Sequence, residues 1–453
     1  MRCFRFFLLW LNIVGFAIAA FSQSPQWHTL ANAPLAEGRF DDVFFINPSV
    51  GWIVEVGASK IYKTIDGGES WDEVLDGGDA FGYHVGFRCI GFVDDQLGWS
   101  GNLNFHNNPI PGRSLFETRD GGDTWENISD RITGFDPAGI CGLWVVDSQT
   151  IYGTGRWNGP PVFVKTIDGG MNWSSEDMRP LVTGLVDVFF FNPDTGFVVG
   201  GHGVGSSLEE QRFSKAVILY TEDGGDFWRA VYHGTDDGYW CWKISFPSRK
   251  IGYVSTQGDV NPQHVLKTID GGLTWDEITI GQGSGFSGIG FISDSLGWVA
   301  ADLAHATANG GASWEPVDNI GRRINRFRIY SDTLGYAVGR TVYKYSSSGP
   351  VSVPTDDEQL PRRFQLGQNY PNPFNPTTVI PYQLAEAGDV EVVIHNLLGQ
   401  PVRTLFRGRQ SPGAHTLLWD GKNNRGELAA SGVYLYHIRT GSSSSTRKML
   451  LMR

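Results

Sequence analysis

The stretch that decides the fold is Thr64-Ile65-Asp66-Gly67-Gly68-Glu69-Ser70-Trp71, because it returns five times. Its copies run Thr118–Trp125, Thr166–Trp173, Thr221–Trp228, Thr268–Trp275 and Thr307–Trp314. The acidic or amide positions are Asp66, Asp120, Asp168, Asp223, Asp270 and Asn309, spaced 54, 48, 55, 47 and 39 residues apart. Such a period is that of a four-stranded propeller blade with variable loops. The chemistry of each copy is local. The carboxylate accepts hydrogen bonds from turn amides, and the paired glycines take φ > 0. The tryptophans Trp71, Trp125, Trp173, Trp228, Trp275 and Trp314 are expected to anchor an outer strand between blades.

Around each copy lies a hairpin ending in Gly plus an aromatic: Gly51-Trp52, Gly98-Trp99, Gly196-Phe197, Gly252-Tyr253, Gly297-Trp298 and Gly335-Tyr336, with Ile151-Tyr152 in one repeat. Nine and seven residues before the aromatic, all fourteen positions are apolar, from Val43 and Phe45 to Phe327 and Ile329. That period of two marks an inner strand buried against a neighbour. Seven hairpins stand against six octapeptides. The seventh leads to a degraded copy at 341–346, and the stretch near 26–31 looks like the missing outer strand. The fold class expected is all-β: a seven-bladed propeller over 23–346, closed by its terminal strands, then a linker (347–361) and a small Ig-like β-sandwich (362–453).

The octapeptide is identified as the Asp-box, or BNR, motif. With its KTIDGG.TW form and GW/GY hairpins, the region 27–346 resembles the photosystem II stability and assembly factor-like propellers. More distantly it resembles sortilin, bacterial sialidases and xyloglucan-hydrolysing enzymes. That resemblance implies a fold on which unrelated activities sit.

The ends carry addresses. Arg2 and Arg5, an apolar run to Ala20 and the small-x-small site Ala20-Phe21-Ser22 read as a signal peptide over 1–22. No later segment is apolar enough to cross a bilayer as a helix. At the other end stand Asn369-Tyr370-Pro371-Asn372-Pro373-Phe374, Asn396-Leu397-Leu398-Gly399-Gln400 and Ser431-Gly432-Val433-Tyr434. These resemble the type A C-terminal sorting domain of the type IX secretion system and the Ig-like domain of flagellar hook-capping proteins. The resemblance implies that 362–453 engages the type IX machinery, and that the chain is secreted or attached to the surface of a Gram-negative bacterium.

Charge and composition narrow the partners. The formal net charge is −12, made of +2 over 1–22, −20 over 23–361 and +6 over 362–453. So acidic a propeller disfavours nucleic acid. Beyond Cys3, the chain has Cys89, Cys141 and Cys241, without metal-ligand spacing. Buried thiols are expected there. Six octapeptide carboxylates, each a blade apart, do not supply the clustered oxygens that calcium needs. No cofactor and no metal are expected.

The candidate binding surface is the face bearing the loops between blades and between second and third strands. It carries Tyr83, His84, His106, Arg156, Trp157, His202, Asp236, Tyr239, Trp240 and His264. Aromatic and polar residues on loops over a rigid scaffold suit a protein or glycan ligand. Ten residues before each hairpin aromatic come Asp42, Cys89, Gly142, Asp187, Lys243, Gly288 and Arg326, the rim of the channel. Asp42 and Asp187 are expected to face each other across it, as a hydrolase acid and base would. Arg326 and Arg328 are expected to point apart, leaving too few inner-strand arginines for a sialidase. The function expected is non-enzymatic ligand binding by an exported propeller; the alternative is a secreted hydrolase or lyase acting on glycans.

Overall fold

The structure is a computed structural model that describes residues 25–103, 111–157, 159–203, 213–235, 237–258, 263–281, 287–300, 302–347, 365–367, 369, 374–384, 387–411, 413–441 and 443–452. The stretch 1–22, read as a signal peptide, and nearly all of 347–361, read as a linker, fall outside these residues. Seven antiparallel sheets follow one another along the chain. The first spans the strands Asp42–Phe45, Gly51–Glu55, Lys60–Thr64 and Asp72–Asp76. The seventh takes Arg326–Ser331, Leu334–Val338 and Val342–Ser346 and completes itself with Gln26–Thr29 from the start of the chain.

That closure has an exact register logic. In the first blade Thr64 lies opposite Gly51 and Lys63 opposite Asp72. In the seventh, Tyr345 lies opposite both Gly335 and Trp27. Trp27 therefore takes the position that Trp71 takes in the first blade, and supplies the tryptophan the seventh repeat lacks. It is buried among Trp298, Phe327 and Tyr345, each with ring centroids 5.4 Å away.

Aromatic stacking joins blade to blade. Trp52 stacks on Phe92 of the next blade at 3.6 Å, Tyr253 on Phe291 at 3.5 Å, and Tyr336 on Phe45 at 3.8 Å across the closure. The hairpin glycine makes room for this. Phe45 is paired with Gly51, and a Cβ at Gly51 would lie 2.5 Å from the Phe45 ring. A hairpin aromatic also reaches the next octapeptide turn: Trp52 Nε1 donates to Gly121 O at 2.9 Å and Tyr336 Oη to Gly67 O at 2.9 Å. The lysine preceding the octapeptide threonine does the same, Lys267 Nζ donating to Gly310 O at 2.7 Å.

The octapeptide turns repeat one hydrogen-bond set. Asp66 Oδ1 accepts from Ser70 N at 2.9 Å and from Thr64 Oγ1 at 2.8 Å, while Thr64 Oγ1 accepts from Gly68 N at 2.9 Å. Gly67 and Gly68 have φ of 76° and 91°, which L side chains rarely adopt. The same pattern holds at Asp120, Asp168, Asp223, Asp270 and Asn309.

Two features depart from the repeat. A strand at Ile132–Gly134 runs parallel to Trp173–Asp177 and widens the third blade to five strands. A short helix, Gly77–Phe81, capped by Asp76, follows the outer strand of the first blade. The C-terminal part packs a three-stranded sheet and a four-stranded sheet around Trp419, Tyr436 and Ile394, all fully buried. No helix among the described residues is long and apolar enough to cross a membrane.

Candidate functional site at the centre of the ring

In an up-and-down blade, the inner strand begins on the face that carries the loops between blades. The residues at these starts therefore meet at the mouth of the central channel. Here they fill it. Arg326 donates from Nε to Asp42 Oδ1 at 3.0 Å, and from Nη1 and Nη2 to Asp187 Oδ2 and Oδ1, both at 2.8 Å. All three side chains are buried. Asp42 and Asp187 thus do not face each other as a free pair; one guanidinium bridges them. Burial pushes the Asp187 carboxyl up, but the Arg326 and Lys243 charges outweigh it and hold it down at about 2. Burial acts on Arg326 the opposite way, and the two carboxylates override it, raising its value.

The expected divergence of Arg326 and Arg328 is also corrected. Residues two apart share a face of a strand. Arg328 Nη2 comes to 3.6 Å from Asp42 Oδ2, on the same side as Arg326.

A second layer lies just above. Arg88 and Arg39 both pair with Asp41, and their guanidinium carbons lie 5.2 and 5.8 Å from the Trp242 ring. Trp242 Nε1 donates to Asn325 Oδ1 at 2.8 Å, and Asn325 Nδ2 to Asp41 O at 2.6 Å. One channel residue per strand, as the repeat spacing implies, leaves this layer out. Bulges between Phe87 and Cys89, Leu185 and Asp187, and Cys241 and Ile244 break the period of two there. Consecutive side chains, such as Trp242 and Lys243, then both reach the centre.

The residues assigned to the loop face divide. His84 and His202 are exposed, and Tyr83 is half-buried with the Arg113 guanidinium 3.6 Å from its ring centroid. Trp157 is half-buried and stacks on Trp240 at 6.3 Å and 18°, next to Trp242. Arg156 is buried beside it. Tyr239 and Trp240 are not loop residues: they begin the inner strand Tyr239–Ser245 and are buried. Tyr239 Oη donates to Glu277 Oε1 at 2.7 Å, as does Tyr232 Oη, which seals two blades. His264 lies in the strand Gln263–Thr268 and packs edge-on against Tyr239 at 4.5 Å. His106 and Asp236 lie outside the described residues.

Cys89, Cys141 and Cys241 are free and buried, and burial pushes all three thiols up. Among the described residues no three His, Cys, Asp or Glu side chains are grouped as a metal site.

The fold and this centre define a seven-bladed β-propeller followed by an Ig-like domain. Residues 374–444 match the family model of the FlgD Ig-like domain. No curated protein matches the chain. Among solved structures, it is similar to YCF48 from Cyanidioschyzon merolae, at 17% identity and a TM-score of 0.52, over 71% of this chain and 98% of that one. YCF48 bound to D1 peptide gives 17%, 0.50, 72% and 97%. The GH74 xyloglucanase from Xanthomonas campestris gives 12% and 0.52, over 79% of this chain and 59% of the enzyme. At these identities the likeness is one of fold, shared by a peptide-binding propeller and a glycoside hydrolase.

Proposed function

We propose that the chain is an exported, non-enzymatic propeller that binds a protein or glycan ligand on its loop face, with 362–453 directing it through the type IX machinery to the cell surface or medium. The observation that carries the binding half is the bridging of Asp42 and Asp187 by Arg326. A glycosidase acid and base need an open site between two carboxyl groups. Here the space between them holds a guanidinium, and both groups are buried ion-pair partners. The three inner-strand arginines are likewise committed, Arg88 to Asp41 and Arg326 and Arg328 to Asp42. The tyrosine–glutamate contacts of Tyr232 and Tyr239 with Glu277 involve the outer strands Arg229–His233 and Asp276–Gly281. None of this is arranged around a sugar.

The binding surface then centres on Trp157 over Trp240, flanked by Tyr83, His84 and His202. Half-exposed aromatics give contact area at low entropic cost. The full chain, applied to a glycan array and crosslinked to envelope proteins of its own bacterium, is expected to retain one ligand class. Trp157→Ala should weaken that retention about tenfold or more, as loss of an aromatic anchor does. Product release from a polysaccharide and sialoside panel, abolished by Asp42→Asn, would overturn the reading.

A further inference from the structure

The centre of the ring gathers five cationic side chains, Arg39, Arg88, Lys243, Arg326 and Arg328, around three carboxylates, Asp41, Asp42 and Asp187. Arg39, Arg88 and Arg326 hydrogen-bond to a carboxylate and Arg328 to Val43 O. Lys243 differs. Its side chain is 1% exposed, and Nζ has no hydrogen-bond acceptor among the described residues. The nearest carboxylate oxygen, Asp187 Oδ1, is 3.8 Å away and already accepts from Arg326 at 2.8 Å. Asp187 Oδ2 is taken by Arg326 Nη1 and Ile244 N.

The charged and titratable groups around Nζ are Asp42, Arg88, Asp187, Arg326 and the thiols of Cys89 and Cys141. Burial keeps both thiols protonated, so they add weak donors and no counter-charge. With its nearest carboxylate at 3.8 Å and already engaged by Arg326, the enclosed ammonium lacks a hydrogen-bond acceptor.

We propose that Lys243 Nζ anchors a buried site for one small monovalent anion, of the halide or short carboxylate class, at the centre of the propeller ring. Such an anion accepts from the ammonium and offsets the excess of positive charge. The site is enclosed, with Trp242 5% exposed and the Lys243 side chain 1% exposed, so a bulky anion is excluded. Burial and the Arg326 charge lower Lys243 to about 7. Anion binding therefore takes up a proton and is stronger at pH 6 than at pH 9.

The test compares thermal midpoints of the full chain and Lys243→Met in sodium chloride, formate and gluconate at equal ionic strength. Chloride or formate should raise the midpoint of the parent chain by about 2–4 °C over gluconate at pH 6, and by less at pH 9. The variant should show no difference between salts. An equal rise in the variant, or none in the parent, overturns the proposal. Should the variant fail to fold, crystals of the parent in sodium bromide decide. An anomalous peak beside Nζ supports the site, and water alone there refutes it.

Discussion

At the scale of single residues, the octapeptide carboxylate and the central ion pairs make opposite demands. Asp270 is exposed and works by hydrogen bonds from Thr274 and Thr268. Partial burial raises its carboxyl, and these bonds outweigh that and hold it at about 2. Asn309 makes the equivalent contacts to Ser313 with an amide. Asp270→Asn should therefore cost less than Asp270→Ala, which should lose about 1–2 kcal/mol in urea unfolding. The depressed value also gives a sign: its stabilisation is present above pH ~4 and is lost as the pH falls towards 2. Arg326 is the opposite case. Arg326→Met removes the guanidinium that bridges the buried Asp42 and Asp187, leaving them only the longer contacts of Arg328 at 3.6 Å and Lys243 at 3.8 Å, and should cost about 3–5 kcal/mol at neutral pH. Lys243 is depressed, so between pH ~7 and ~10 the unfolded chain binds the extra proton. Stability in gluconate should rise over that range, and Lys243→Met should flatten the slope.

At the scale of strands, the glycine–phenylalanine pair and the closing strand carry the packing. A methyl at Gly297 would sit 2.3 Å from the Phe291 ring, which is stacked on Tyr253. Gly297→Ala should cost about 1–3 kcal/mol by displacing that stack. Trp27→Ala removes a ring buried against three aromatics and should cost about 3–5 kcal/mol, with oligomers forming in size-exclusion runs as the strand frays. Both features were legible beforehand, since the glycines, the apolar positions and the unpaired seventh hairpin are periodic. What was not legible was local irregularity. Bulges shifted Trp242 and Lys243 to the same side, and the strand Ile132–Gly134 has a sequence no different from a loop. Tyr239, Trp240 and His264 lie in the strands Tyr239–Ser245 and Gln263–Thr268, which start earlier than the repeat implies.

At the scale of the whole molecule, a strongly acidic propeller is built around a cationic centre and is followed by a basic domain. Ring stacks join blades at junctions such as Trp52–Phe92, Tyr253–Phe291 and Tyr336–Phe45. The candidate catalytic pair shows how far sequence carries: it located Asp42 and Asp187 on the channel, but pairing depends on the reach of Arg326 from another blade, which spacing does not encode. Trp157, on the proposed binding face, packs through Trp240 and Trp242 onto that ion-paired centre. The most direct measurement is a side-by-side assay of the full chain and Asp42→Asn for product release and for retention on the same glycan and envelope-protein panel. The expected result is no product from either protein, with ligand retention that Trp157→Ala weakens about tenfold or more. Turnover by the parent chain that is lost in Asp42→Asn would contradict it.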